Sequence, residues 1–88
     1  GQGFPYPTFN AHFRVENQYV VGGKHLKLKL RKFYLDDDEQ KLGQLYESML
    51  FFHENSLPET INAVYRLNIN KYGGNDSLQL ILEHWIPA

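Results

Sequence analysis

The residues with the most evident chemistry are cations that alternate with leucine between Lys24 and Arg31. In a β-strand, successive side chains point to opposite faces, so Lys27, Lys29 and Arg31 share one face and the intervening leucines line the other. Such cations lie about 6.8 Å apart, two residues of strand rise. That distance is close to the phosphate repeat of an extended single strand of nucleic acid. A phosphate-binding face and a merely solvated face both fit this pattern.

The overall charge argues against a uniformly basic nucleic-acid binder, because the 88 residues carry a formal net charge of −1. The distribution is more informative, since five of the nine Lys and Arg residues fall between Lys24 and Lys32. Acidic residues follow at once, from Asp36 to Glu39. The sequence therefore predicts a local positive field on an otherwise near-neutral domain.

The element that positions these cations is predicted to be the second of five strands. The five strand-like segments cover residues 12–21, 25–33, 44–53, 60–69 and 77–85. Asp37–Met49 is the ambiguous stretch, and because Gly43 interrupts its helical start, it is predicted to be a turn leading into the third strand. Glycine-bearing turns follow the first and fourth strands, at Gly22–Gly23 and at Tyr72–Asp76.

Five short strands in a chain of this length predict one all-β domain, a five-stranded antiparallel barrel of the oligonucleotide-binding (OB) type. Residues 1–10, rich in proline and aromatic residues, are predicted to be an extended lead-in, and residues 11–88 the barrel. The chain as a whole is interpreted as a fragment of a larger protein. The residues predicted to be buried are Leu26, Leu28, Leu30, Ile61, Leu67, Leu78, Leu80 and Leu82.

Other chemistries find little support in the sequence. Without cysteine there is neither a disulfide nor a thiolate metal site, which fits a reducing, cytoplasmic location. The carboxylates from Asp36 to Glu39 lack metal-ligand spacing and are interpreted as a solvated turn. The four histidines lie on different segments without a zinc-site pattern. No nucleophile motif is present and no apolar run is long enough to span a membrane. We expect no catalytic residue and no metal or cofactor site in this chain.

The aromatic residues are assigned either to the core and contacts between domains or to stacking on a base. Tyr65 is expected to lie in the core, and Tyr72, at a hairpin tip, is a candidate for stacking on a base. The remaining candidates are favoured as core or inter-domain contacts over base-stacking platforms: Phe13, Phe33, Phe51, Phe52 and Trp85.

Three sequence blocks extend this interpretation from a fold to a family. Gly1–Phe9, with the pattern Gly-x-Gly-x-Pro-x-Pro-x-Phe, resembles the segment that leads into the last domain of RecJ-type single-strand-specific 5′ exonucleases. Val20–Leu30 resembles that family's Val-Gly-x-Lys/Arg-His-Leu-Lys-Leu strand. Tyr65–Asn70 together with Ser77–His84 is similar to its closing hairpin. Residues 36–53 match only loosely.

The resemblance implies an OB-fold that follows two catalytic domains and helps to hold single-stranded DNA. It also implies that Mn²⁺ or Mg²⁺ is bound by motifs of the parent chain that are absent here, and that the parent acts in DNA repair and recombination. OB-folds bind along strands 2 and 3 and the 1–2 and 4–5 loops. Phosphate contacts are expected from Lys24, Lys27, Lys29 and Arg31, with Arg66 and Lys71 as weaker candidates, and sugar or base contacts from His25 and Tyr72.

Two functions of different classes remain open at this stage. The first is a single-stranded-DNA-binding accessory domain of a nuclease, with the catalytic domains and a single-strand-binding protein as further candidate partners. The second is a structural or docking module that contacts the catalytic domains or a protein partner and binds little DNA of its own. In that case the aromatic lead-in and an exposed Trp85 or Phe52 would face the partner.

Overall fold

The computed structural model describes residues 6–36 and 39–88, and it confirms the predicted all-β barrel. For Leu35, Asp36, Asn70 and Tyr72 only the backbone is described. The strands are β1 (Phe9–Val21), β2 (His25–Asp36), β3 (Glu39–Leu50), β4 (Thr60–Tyr72) and β5 (Asn75–Pro87). They close in the order β1-β2-β3-β5-β4, with β4 pairing back to β1. Within the described ranges no helix has the length and apolarity that crossing a membrane would need.

One pairing differs from the antiparallel arrangement predicted for the whole barrel. β3 and β5 run parallel, from Glu47–Met49 to Gln79–Ile81, whereas the other four pairings are antiparallel. The reason is geometric, because strand directions cannot alternate around a closed ring with an odd number of members. A closed five-stranded barrel therefore contains at least one parallel pair.

The third strand begins earlier than predicted. The turn assigned to Asp37–Met49 is wrong for most of its length, because β3 pairs with β2 from Glu39 onwards and ends at Leu50. Gly43 lies inside the strand at a bulge rather than ending it. A Cβ there would lie 2.9 Å from Cε2 of Tyr34 and 3.2 Å from the carbonyl oxygen of Lys32. The glycine thus makes room for the Tyr34 ring across the β2–β3 pair.

The core agrees with the prediction at six of eight positions. Buried as expected are Leu26, Leu28, Leu30, Ile61, Leu80 and Leu82. Leu67 and Leu78 are instead 49% and 39% exposed. β1 pairs with β4 only as far as Tyr65, and β3 pairs with β5 only over Gln79–Ile81. β4 beyond Asn68 and β5 before Gln79 therefore continue as a two-stranded arm outside the ring. Leu67, beyond the β1–β4 pairing, and Leu78, on the arm, are therefore exposed at the open end of the barrel.

Ser48 is the one polar residue among the buried positions of the described chain. It lies in register between Leu28 on β2 and Leu80 on β5, and its hydroxyl has no hydrogen-bond partner among the described residues. We expect Ser48→Ala to raise the free energy of unfolding by about 1 kcal/mol, because an unsatisfied buried hydroxyl keeps its desolvation cost. Urea unfolding measures this effect, and the exposed Ser56→Ala should change little. A destabilised Ser48→Ala would show that the hydroxyl is satisfied, for example by a buried water.

Candidate nucleic-acid interface

The outer face of β2 carries the predicted row of basic residues. Leu26, Leu28 and Leu30 are buried, and the residues that alternate with them are exposed or half-buried on the opposite face. In chain order these outward residues are His25, Lys27, Lys29 and Arg31. The buried leucines thus fix the strand in the barrel wall, and the cations that alternate with them are held on its outer face.

Cross-strand neighbours set the charge around the two central lysines. Lys27 lies between Tyr19 on β1 and Met49 on β3, and no carboxylate of the described residues forms an ion pair with it. Lys29 is opposite Glu47, and its Nζ lies 3.9 Å from the Glu47 Oε1. Both members of that pair are about half exposed, so the ion pair competes only weakly with a phosphate for the lysine.

Arg31 is held more firmly by protein groups. Its Nε lies 2.8 Å from Glu16 Oε2, and its Nη1 donates to the carbonyl oxygen of Gly43 at 3.1 Å. Glu16 also pairs with Arg14 at 3.2 Å, and these arginine hydrogen bonds, that from Arg31 foremost, lower the pKa of the Glu16 carboxyl. Glu16 is the extra residue of a β1 bulge, which directs its carboxylate toward Arg31. This three-residue group retains one net positive charge.

Lys24 lies exposed at the start of the row, in the β1–β2 turn. Gly22 and Gly23 adopt φ values of 60° and 69°, a conformation that glycine adopts without steric cost. The Lys24 amide donates to the carbonyl oxygen of Val21 at 3.3 Å, which closes the turn. The turn thus places a further cation beside His25, at the end of the barrel where β2 begins.

Arg66 and Lys71 are not brought together with the β2 row. Arg66 lies on β4, which is not a neighbour of β2, and its Nε contacts Glu83 Oε1 at 2.9 Å. The guanidinium also lies over the Tyr6 ring, 4.9 Å from its centroid. Tyr6 donates to the same Glu83 oxygen at 2.6 Å, and this hydrogen bond raises the pKa of the phenol.

The β4–β5 turn lies at the opposite end of the barrel from the β1–β2 turn, because β1 is antiparallel to both β2 and β4. Lys71 is exposed near its tip. The side chain of Tyr72, the predicted stacking residue, lies outside the described residues.

Two exposed aromatic residues lie beside the row. Of the core and inter-domain positions that the sequence favoured for them, the core position is wrong. Phe51 and Phe52 follow the end of β3, and both rings make edge contacts with His25. The Phe52 amide donates to Nδ1 of His25 at 3.0 Å. Of the other aromatic candidates, Phe13 and Phe33 are buried and Trp85 is half-buried. The docking hypothesis already had Phe52 exposed, whereas for Phe51 only its position at the end of an apolar strand segment could have indicated exposure.

Metal-ligand geometry is absent from the part of the chain that the structure describes. Among residues 6–36 and 39–88, no three His, Asp or Glu side chains cluster in a way that could hold a metal ion. Asp37 and Asp38, the centre of the acidic turn, lie outside the described residues. The surface around β2 presents cations, a histidine and exposed rings.

Comparisons with known proteins agree with this geometry. The profile of the RecJ OB domain matches residues 1–84. The chain is 34% identical over 92 residues to the single-stranded-DNA-specific exonuclease RecJ of Escherichia coli, and 32% identical over 87 residues to that of Dickeya dadantii. Each alignment covers 99% of this chain but 15% of the relative, so the chain spans a small part of the length of these proteins.

Two solved structures have a similar fold. A small single-stranded DNA binding protein from Mycoplasma pneumoniae aligns over 90% of each chain with a TM-score of 0.58. A small single-stranded DNA-binding protein from Streptomyces coelicolor aligns over 97% of this chain and 96% of its own, with a TM-score of 0.54. Sequence identity is 8% in both cases, so these likenesses concern the fold alone.

Proposed function

The chain belongs to the RecJ OB domain family, and from this premise we propose that it is the single-stranded-DNA-binding accessory domain of a single-strand-specific 5′ exonuclease. The curated relatives are single-stranded-DNA-specific exonucleases by name. The two structural neighbours are single-stranded-DNA-binding proteins by title, which supports the same ligand.

The observation that carries the proposal is the outward row on β2. Lys24, Lys27 and Lys29 present ammonium groups that no strong ion pair with another described residue occupies. Arg31 adds the net charge of its group with Arg14 and Glu16. Phosphates of an extended strand can follow such a row without any contact to base edges. Recognition of this kind, through backbone charge and stacking, is tolerant of sequence.

The parent protein would supply the catalysis. Hydrolysis that depends on Mn²⁺ or Mg²⁺ would take place in domains outside this chain, which spans 15% of the length of its RecJ relatives. The barrel would raise the effective concentration of the DNA strand at those domains, so modest affinity of its own suffices. DNA repair and recombination in the bacterial cytoplasm, with a single-strand-binding protein as a further partner, is the cellular role we propose.

Salt dependence of binding is the direct test. Fluorescence anisotropy with a labelled single-stranded oligonucleotide should give a log affinity that falls with log salt at a slope of roughly −2, as expected for about three phosphate contacts. A duplex of the same sequence should bind less well, because its phosphates do not follow one extended strand. Binding with no salt dependence, or no binding at low salt, would contradict the proposal.

A docking module is the second candidate, and a specific surface favours it. The open end of the barrel beside the β4–β5 arm holds an apolar cavity of about 220 Å³. Its lining residues are Phe9, Tyr46, Tyr65, Leu67, Leu78 and Leu80. Ile69, farther along the arm, is also exposed. Such a surface suits the catalytic domains of the parent or another protein. The salt series distinguishes the candidates, because this surface provides no cations for phosphate.

A further inference from the structure

Phe52 has an unusual combination of conformation and exposure. It directly follows Phe51 after the end of β3 and is 83% exposed. Its φ of 58° lies in the left-handed region, where it is the one non-glycine residue among those the structure describes. A bulky residue rarely adopts this conformation, since its Cβ crowds the backbone. The fold thus accepts local strain in order to hold a large ring in solvent.

A specific contact maintains this conformation. The Phe52 amide donates to Nδ1 of His25 at 3.0 Å, so the first outward residue of β2 fixes the backbone that carries the ring. The two ring centroids lie 5.0 Å apart at an interplanar angle of 75°, with the edge of one ring toward the other. Phe51 contacts His25 in the same way, at 5.2 Å and 82°.

The Phe52 ring lies at the end of the basic row on β2, where a bound DNA strand would pass. His25 begins the outward row that continues through Lys27 and Lys29, and exposed Lys24 precedes it in the turn. A DNA strand whose phosphates follow this row therefore reaches the Phe52 ring at the end where β2 starts. Exposed aromatic rings beside a phosphate track stack on bases, because every base has a π-face. Strained residues that the surrounding structure fixes are concentrated at ligand sites.

We propose that Phe52 is a stacking platform for one base of the bound single strand and that His25 is the residue that positions it. This inference rests on the proposed function and adds to it a contact that charge alone does not provide. The ligand chemistry is the flat face of any nucleobase, next to a sugar–phosphate backbone held by Lys24 and Lys27.

The test compares Phe52→Ala and Phe52→Trp with the unchanged chain, on two oligonucleotides of equal length. One is an ordinary single strand, and the other has abasic sites throughout and offers phosphates without bases. On the ordinary strand, Phe52→Ala should bind about tenfold more weakly while Phe52→Trp retains affinity. The salt slope should be the same for all three, since no charge has changed. On the abasic strand, the three proteins should bind equally.

Phe52→Gly provides a check on folding. Glycine adopts positive φ without strain, so this variant should melt no lower than the unchanged chain and yet lose the same affinity as Phe52→Ala. For the positioning role, His25→Ala should weaken binding of the ordinary strand, but it should add little in the Phe52→Ala background. An equal further loss in that background would overturn the role of His25.

Failure of this inference can be told apart from failure of the proposed function. If the unchanged chain showed no salt-dependent binding, the function would fail. If it bound with the expected slope and Phe52→Ala bound equally well, only the stacking role would fail, and the exposed ring would be left as a protein-docking residue. A loss of the same size on the abasic strand would also overturn stacking, because that ligand has no base to lose.

Discussion

Lys27→Ala/Lys29→Ala is expected to weaken binding of single-stranded DNA roughly 30-fold at about 50 mM salt and to reduce the salt slope by about 1.4, two phosphate contacts at ~0.7 each. The loss should shrink as salt rises, because it reflects counterions that are no longer released. Both side chains point away from the core, so the melting temperature should change little. Anisotropy across a salt series measures affinity and slope together.

A change of opposite sign provides the matched control for this variant. Glu47→Gln removes the carboxylate next to Lys29 and should tighten binding, since the ion pair at 3.9 Å no longer competes with phosphate. Glu54→Gln makes the same change of net charge in the exposed connection after β3 and should have a much smaller effect. If the double lysine variant kept full affinity and slope, the row would be only a solvated face, and the docking function would be favoured.

Leu28→Ala is expected to lower the free energy of unfolding by about 3 kcal/mol. Leu28 is fully buried on the inner face of the strand that carries the lysines, and truncation leaves a cavity in addition to the lost transfer energy. A domain of this size is only marginally stable, so the loss is a large part of the total. Urea unfolding followed by tryptophan fluorescence, with Trp85 as the reporter, measures it.

Leu67→Ala removes the same atoms from a half-exposed position at the open end of the barrel. Its effect should be about 1 kcal/mol or less, because solvent already reaches the side chain. Equal destabilisation by the two substitutions would mean that Leu67 is covered in solution, and its position outside the core would then be wrong.

The outcome at each strand shows what alternation in a sequence can predict. The period of two in β2 identified inward and outward residues correctly from Leu26 to Arg31, because one strand determines its own faces. It could not show where the opposite wall of the barrel ends, so Leu67 and Leu78 were assigned to the core although their strands extend past it. Alternation also places Ile81 on the face of β5 opposite to Leu80 and Leu82, yet it is buried between its cross-strand neighbours Met49 and Arg66.

The candidate site was predictable as a row of residues but not as an electrostatic environment. Lys27 and Lys29 lie as predicted on one outward face. The contact of Arg31 with Glu16 depends on a β1 bulge, which simple alternation does not reveal. Phe52 depends on a backbone conformation beyond the end of a strand and on a hydrogen bond to a residue 27 positions away. Both features depend on how distant strands pair in the folded domain, and the residue pattern of one sequence does not show that pairing.

The short parallel pairing of β3 with β5 also determines how the barrel can open. β2–β3 and β4–β5 are long antiparallel ribbons, and each pairs with β1 on one side. On the other side the described strands β3 and β5 pair over three residues each, Glu47–Met49 and Gln79–Ile81. Local opening starts where the fewest hydrogen bonds must break. Fluctuations that expose amides to hydrogen exchange should therefore begin at the β3–β5 pairing, with β1 as the hinge. β1, β2 and β3 all lie on the same side of the β3–β5 pairing in the strand order. The barrel can thus open and reclose while its cationic strand remains paired on both edges.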